Sequence, residues 1–342
     1  MTATVPTTAA TPVTTTAPAP AGAHLADTSE RRIALVRIWD AMFRGARRHV
    51  EDKGFVGVHN MPEIVGVTGA CENVDTLFKV DFFGRPAFLA QSDQLYLELL
   101  TPVLGKVYAE IQSFRMEPDA DDRHLCQFSL FEIEHLGNLD ELIGNISGIV
   151  QAATNEVVRS CGAELALFGR DLSELTDMAF ARITYDDAVD LLADEFPSLA
   201  WGDDLTQVHE AAIVAHIGPC FVTHYPKDIK FFNMQENADD ERIVNSTDLL
   251  LPYAGESAGA AEREHEYERI VERLKTSSMY ARLIENGARP EDFDWYLDAH
   301  KGKEIPLHSG AGIGMARLAQ FIVGADDIRD ATPFVLNRDN LC

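Results

Sequence analysis

Residues 114–134 read Phe-Arg-Met-Glu-Pro-Asp-Ala-Asp-Asp-Arg-His-Leu-Cys-Gln-Phe-Ser-Leu-Phe-Glu-Ile-Glu. Strand-like runs at Val107–Glu117 and Gln127–Glu134 flank a polar loop, Pro118–Arg123, so the stretch reads as a hairpin. Strand alternation puts Arg115 and Glu117 on one face, and Glu132 and Glu134 on one face of the next strand. A hairpin built only for stability would have no use for so many charges. An arginine fork suits phosphate oxygens and the Phe128 face suits a purine ring. A solvated hairpin with surface ion pairs is the bland alternative.

Upstream, Asp27-Thr28-Ser29 can cap a helix in which Leu35, Trp39, Met42, Phe43, Ala46 and Val50 recur at helical spacing, with Gly54 ending it. A short strand at Phe55–Val58 stops before Pro62. Two more fit Leu77–Phe83 and Ala87–Ala90, turning at Gly84-Arg85-Pro86, and a helix follows from Gln91 to about Leu100. Downstream, Leu139, Leu142, Ile143, Ile146, Val150, Ala153 and Val157 mark a long amphipathic helix. Tyr185–Leu192 and Leu205–His216 are shorter helices. Strands return at Cys220–His224, Ile229–Met234 and Thr247–Leu251, and an acidic helix covers Glu262 to about Asn286. His308–Gly324 reads as a Gly-rich turn entering an apolar helix. Hairpins alternating with blocks of helices predict an α+β fold, an antiparallel sheet of roughly six or seven strands flanked by helices.

Two further clusters carry chemistry. In Ser309–Arg317, Gly310, Gly312 and Gly314 let a ligand, or a packed element, approach the backbone, and Arg317 projects from the first helical turn. No βαβ unit surrounds these glycines, so they are not a dinucleotide fingerprint. Asp248 and Glu256 could share Mg²⁺ through a nucleotide, or lie on the surface. Arg263 is either a surface residue of the acidic helix or a fork for a carboxylate.

The chain has 342 residues, 46% of them hydrophobic, enough for one large core. Its 29 basic and 55 acidic residues give a net charge of −26, which repels polyanions at long range. No run is long and apolar enough for a membrane span, and the N-terminus lacks the layout of a secretory signal. The 5 cysteines are scattered without a CxxC pair, which suits reduced thiols in the cytoplasm. Residues 1–26 form an Ala/Thr/Pro-rich segment expected to be disordered, and 27–342 form the folded domain.

Together these clusters resemble the three motifs of class II aminoacyl-tRNA synthetases, in the asparaginyl/aspartyl subgroup and its asparaginyl branch in particular. Residues 55–62 resemble motif 1, Arg115–Glu134 motif 2 and His308–Arg317 motif 3. Tyr225-Pro226-Lys227-Asp228-Ile229-Lys230, Gly255-Glu256 with Gly259 and Arg263, and Ile328-Arg329-Asp330 before Pro333-Phe334 match that branch. The resemblance implies an ATP-dependent, acyl-adenylate-forming ligase and a homodimer through motif 1. Arg115 would hold the α-phosphate and the amino-acid carboxylate, while Glu117 and Phe128 would place adenine. Arg123 and Arg317 would contact the β- and γ-phosphates beside His124, and Asp248 and Glu256 would carry Mg²⁺. Glu72, Gln94 and Glu132 would surround the α-ammonium, and Ser92 would be among the substrate-binding residues. Arg263 would grip the substrate side chain.

Departures refine the expectation. The family's tRNA enzymes carry an anticodon-reading OB-fold of about 100 residues, whereas a short tail precedes the catalytic part here. With the negative charge, this points away from tRNA, towards asparagine synthetase-like amide formation: adenylation of aspartate or an analogue, then attack by ammonia or a small amine. Gln127 replaces a usual Glu, and its NH₂ can donate to a carboxylate, which tilts the pocket to aspartate. Leu97 stands where aspartyl enzymes have a lysine. Asn73-Val74, Ala260-Ala261 and Ala316 also depart from the pattern. The alternatives are aminoacylation of tRNA or a carrier protein, and a non-catalytic regulatory paralogue.

Overall fold

The central hairpin forms where the alternation places it. In the computed structural model, which describes residues 28–67, 74–176 and 178–340, strands β5 (Lys106–Phe114) and β6 (Gln127–Leu136) pair antiparallel in register from Lys106↔His135 to Phe114↔Gln127. The expected disordered segment 1–26 and Glu72 lie outside the described residues.

Before the hairpin come α1 (Glu30–Asp52), β1 (Val56–Gly57), β2 (Ile64–Val65), β3 (Lys79–Phe82), β4 (Arg85–Leu89) and α2 (Gln94–Leu104). Ser29 caps α1, its side chain accepting from Arg32 N at 3.3 Å. After the hairpin come α3 (Leu139–Ser160), α4 (Gly162–Ala166), β7 (Ala181–Thr184), α5 (Tyr185–Leu192), α6 (Gln207–Ile217), β8 (Cys220–Thr223), β9 (Ser246–Leu251) and β10 (Gly255–Glu262). The chain closes with α7 (Tyr267–Thr276), α8 (Ser278–Glu285), α9 (Asp294–His300), β11 (His308–Gly314) and α10 (Met315–Val323).

The main sheet has 8 strands in the order β1-β5-β6-β11-β10-β9-β8-β7, and β2-β4-β3 form a second sheet of 3. The outer pairs β1–β5 and β7–β8 are parallel and the rest antiparallel. The sheet is thus wider than expected and mixed. Its edge strands span 2 and 4 residues, too few to show a period.

Three local expectations change. The Gly-rich turn is a strand, β11, hydrogen-bonded on both sides to β6 and β10. Glycine and alanine have little strand propensity, so neighbours on both flanks impose the conformation. The acidic helix begins later, because Glu262 ends β10, and it breaks at Ser277, which caps α8 by accepting from Tyr280 N. Residues 229–234 form no strand; only Met234 bridges to Arg263.

The most extensive apolar cluster lies on one face of the sheet. Phe131 and Ile133 of β6 pack there with Ile38 and Met42 of α1 and Ile146 and Val150 of α3, all fully buried. The opposite parity of β6, Phe128, Leu130 and Glu132, turns to a cleft on the other face. No helix of the described residues is long and apolar enough to cross a membrane.

Candidate active site

A row of paired residues forms the cleft floor. Glu132 faces Gly312, Gly312 faces Gly259, and Gly259 faces Asp248. Two carboxylates thus stand three strand spacings apart, about 14 Å, across a trench of glycine. Next to it Gly310 pairs with Glu134, and a Cβ on Gly310 would lie 1.6 Å from Glu134 Oε2. These glycines make room for side chains from neighbouring strands.

One end of the cleft is cationic. Arg115 follows β5 and sits with its guanidinium 5.3 Å from the Phe128 ring centroid. Arg123 and His124 come from the β5–β6 connection, with Asp121 held against His124 Nδ1 at 2.7 Å. Arg317, in the first turn of α10, donates from Nη1 to the carbonyls of Ala254 at 3.1 Å and Glu256 at 2.9 Å. Burial lowers its pKa below the usual arginine value, and the Arg123 and Arg115 guanidinium groups lower it further. Three like charges held close together form a site for a polyanion.

The other end is acidic and dry. Ser92 Oγ donates to Glu132 Oε1 at 2.6 Å, and the Asp93 N–H to Oε2 at 3.1 Å. Burial, with Asp93 adding to it, pushes Glu132 up to about 8. Burial also pushes Asp93 and Glu134 each up to about 7. Arg263 donates to Glu134 from Nε at 3.1 Å and Nη2 at 3.2 Å, and Nη2 also donates to Gln94 Oε1. Glu98 lies 3.7 Å from Arg263 and accepts from Asn233 Nδ2 and Tyr296 Oη, both at 2.6 Å. Burial alone would raise Glu98, but His308 and Arg263 hold it below the usual carboxylate range.

Asp248 and Glu256 also line the cleft, Glu256 beside Arg317, and Lys230 Nζ donates to Asp248 Oδ2 at 2.7 Å. No group of 3 or more possible metal-binding side chains occurs among the described residues. A pair of carboxylates fits Mg²⁺ that takes its other ligands from phosphates and water.

The cleft gathers Arg115, Glu117, Arg123, His124, Phe128, Ser92, Gln94, Glu132, Arg263, Asp248, Glu256 and Arg317. Gln127 is the correction: it does not line the cleft. It shares its face of the hairpin with Gln112 and Ser129, and its amide donates to Gln112 Oε1 at 3.2 Å. In a regular strand Gln127 and Phe128 cannot both face one ligand. The tilt to aspartate therefore loses its residue. Glu98, Glu134, Glu210, Lys230 and His308 entered no predicted role. Glu134 carried a signal, an acid in phase with Glu132.

The sequence profile described as tRNA synthetases class II (D, K and N) matches residues 11–338. The chain belongs to this family. Among its relatives, the asparagine–tRNA ligase of Pyrococcus abyssi is 35% identical over 316 residues, covering 91% of this chain and 70% of that protein. The crystal structure of asparaginyl-tRNA synthetase from Pyrococcus horikoshii complexed with asparaginyl-adenylate superposes with a TM-score of 0.84 at 33% identity, covering 93% of this chain and 71% of the other. The asparaginyl-tRNA synthetase of Entamoeba histolytica gives 0.81 at 27% identity, covering 93% and 70%. This class II synthetase chain is an ATP-dependent ligase of the aminoacyl-adenylate-forming type, and its fold is the family's catalytic core.

Proposed function

We propose that this chain activates asparagine as the adenylate and passes the acyl group to tRNA. One observation carries the substrate choice: the charge of Arg263 is already matched by Glu134 and Glu98. A side-chain carboxylate entering there would find the guanidinium already engaged by two acids, whereas a neutral amide can both accept from and donate to this group of side chains. The acceptor reading draws on the relatives, which are tRNA ligases.

The chemistry follows from position. A substrate carboxylate oxygen bonds to the α-phosphorus as the bond from that phosphorus to the bridging oxygen breaks, and pyrophosphate leaves. Arg115 orients the α-phosphate and carboxylate; Arg123, His124 and Arg317 neutralise the leaving group. Glu132, ionising as the α-ammonium arrives, holds that end with Ser92 and Gln94. Mg²⁺ on Asp248 and Glu256, when bound, offsets phosphate charge. Assembly as a homodimer through residues 55–62 and a cytoplasmic location complete the proposal.

The net charge of −26 favours a second acceptor reading, in which ammonia or a small amine takes the acyl group. Pyrophosphate exchange with asparagine and aspartate, followed by transfer assays with tRNA and with ammonium, tests both. Asparagine-dependent exchange and a labelled tRNA adduct are expected. Exchange with aspartate alone, and AMP release driven by ammonium, would replace the first reading with the second. Nucleotide binding without any exchange would leave a regulatory paralogue.

A further inference from the structure

The helix α6 carries no motif, and its buried residues are Glu210 and Ile213. A carboxylate at a core-facing position has a specific use here. Glu210 Oε2 accepts from Arg123 Nη2 at 2.9 Å, and the same oxygen accepts the Glu256 N–H at 3.0 Å. Both side chains of the ion pair are nearly buried, 12% and 9% exposed. A buried pair contributes little net stability, because desolvation offsets the attraction. Its geometric consequence is larger. Arg123 ends a long polar loop, and one carboxylate ties its guanidinium to the β9–β10 turn that presents Glu256.

Gly255 points the same way independently. It has φ +65°, and a Cβ there would lie 2.3 Å from Glu210 Oε2 and 3.0 Å from Arg123 Nη2. The turn is shaped so that the pair can lie flat against its backbone. Glu210 also faces Arg317, whose charge it helps balance alongside Glu256.

We infer that Glu210 is a positioning residue for adenylation: it fixes Arg123 and the Glu256 turn together, so that the pyrophosphate-binding arginine and the metal-binding carboxylate are set before the nucleotide enters. The inference rests on the ATP-activating reading above. Preorganisation lowers the entropy lost on binding, so its removal weakens ATP binding and leaves the amino-acid end untouched.

The test uses the full chain, with Glu210→Ala, Glu210→Gln, Arg123→Ala and the Glu210→Ala/Arg123→Ala double variant. Calorimetry with Mg·ATP and pyrophosphate-exchange kinetics are the readouts. Loss of one charge-assisted hydrogen bond predicts a rise of about tenfold in Kd and KM for ATP in Glu210→Ala. The KM for the amino acid stays within twofold. Glu210→Gln keeps an oxygen for both donors and recovers most of the loss. Adding Glu210→Ala to Arg123→Ala changes ATP binding by less than threefold. Equal loss at both substrates, or independent losses in the double variant, would overturn the inference. If Glu210→Ala does not fold, the same cycle run with Glu210→Asp, which keeps the charge but falls one methylene short of both donors, decides: coupling to Arg123 supports the role and additivity removes it. A wild-type chain that binds Mg·ATP but exchanges no pyrophosphate rejects the adenylation reading instead, and the calorimetric cycle still judges Glu210.

Discussion

The two ends of the cleft are mirror images in charge. At one end, Arg115, Arg123 and Arg317 crowd together. At the other, Asp93, Glu98, Glu132 and Glu134 are buried around Arg263 and His308. Each end crowds groups of one sign together. They relieve that crowding differently. An arginine hardly deprotonates, so the cationic end keeps its charge and relies on Glu210 and Glu256. A carboxylic acid can hold its proton, so the acidic end waits partly neutral, Glu132 near 8 and Asp93 and Glu134 near 7. The first end is fixed in charge; the second is switched by pH.

The largest expected effect falls on the fixed end. Arg317→Ala should lower pyrophosphate exchange by about a thousandfold, with the fold retained by circular dichroism. Activity within tenfold of wild type would remove the contrast.

At the switched end, Glu132→Gln should raise the amino-acid KM about a hundredfold, leaving ATP binding unchanged by calorimetry. It should also raise Tm at pH 8.5. Folding lifts the pKa of Glu132, Asp93 and Glu134 above the unfolded values, so the native state binds more protons and stability falls as pH rises from about 5 to 8. The variant removes one of these groups, and its melting curve should vary less with pH.

The same acids set the pH profile. The ionised Glu132 pairs with the ammonium, so kcat/KM for the amino acid should rise about tenfold between pH 6.5 and 8.5, while ATP affinity stays nearly flat. A flat amino-acid profile would place the Glu132 transition outside this window.

Gly310→Ala should cost about 2 kcal/mol in denaturant unfolding, because its Cβ displaces the Glu134 carboxylate that holds Arg263. The smallest effect is at Gln127: Gln127→Glu should change neither KM by more than twofold, since that side chain faces away from the cleft. A large shift in the asparagine/aspartate preference would restore Gln127 to the site.

Much of this was legible beforehand. Arg115, Glu117, Arg123, Phe128 and Arg317 are polar or aromatic residues whose spacing matches a known set of motifs, and long helices such as α1 and α3 announce themselves by period. The glycine-rich strands β10 and β11 did not, because small residues give no alternation and pairing on both flanks makes the strand. Gln127 went wrong through a family position read without strand parity, although parity was available in the sequence.

By itself the sequence determined the chemistry's inventory: which guanidinium and carboxylate groups exist, in what order, and that a charged hairpin carries part of them. Side-chain type and local period are properties of neighbouring residues. Tertiary structure alone decided which groups share an environment. Glu210 meets Arg123 across 87 positions and Arg263 meets Glu134 across 129. Such pairings depend on strand order and on burial, which set both geometry and pKa, and no local pattern encodes either.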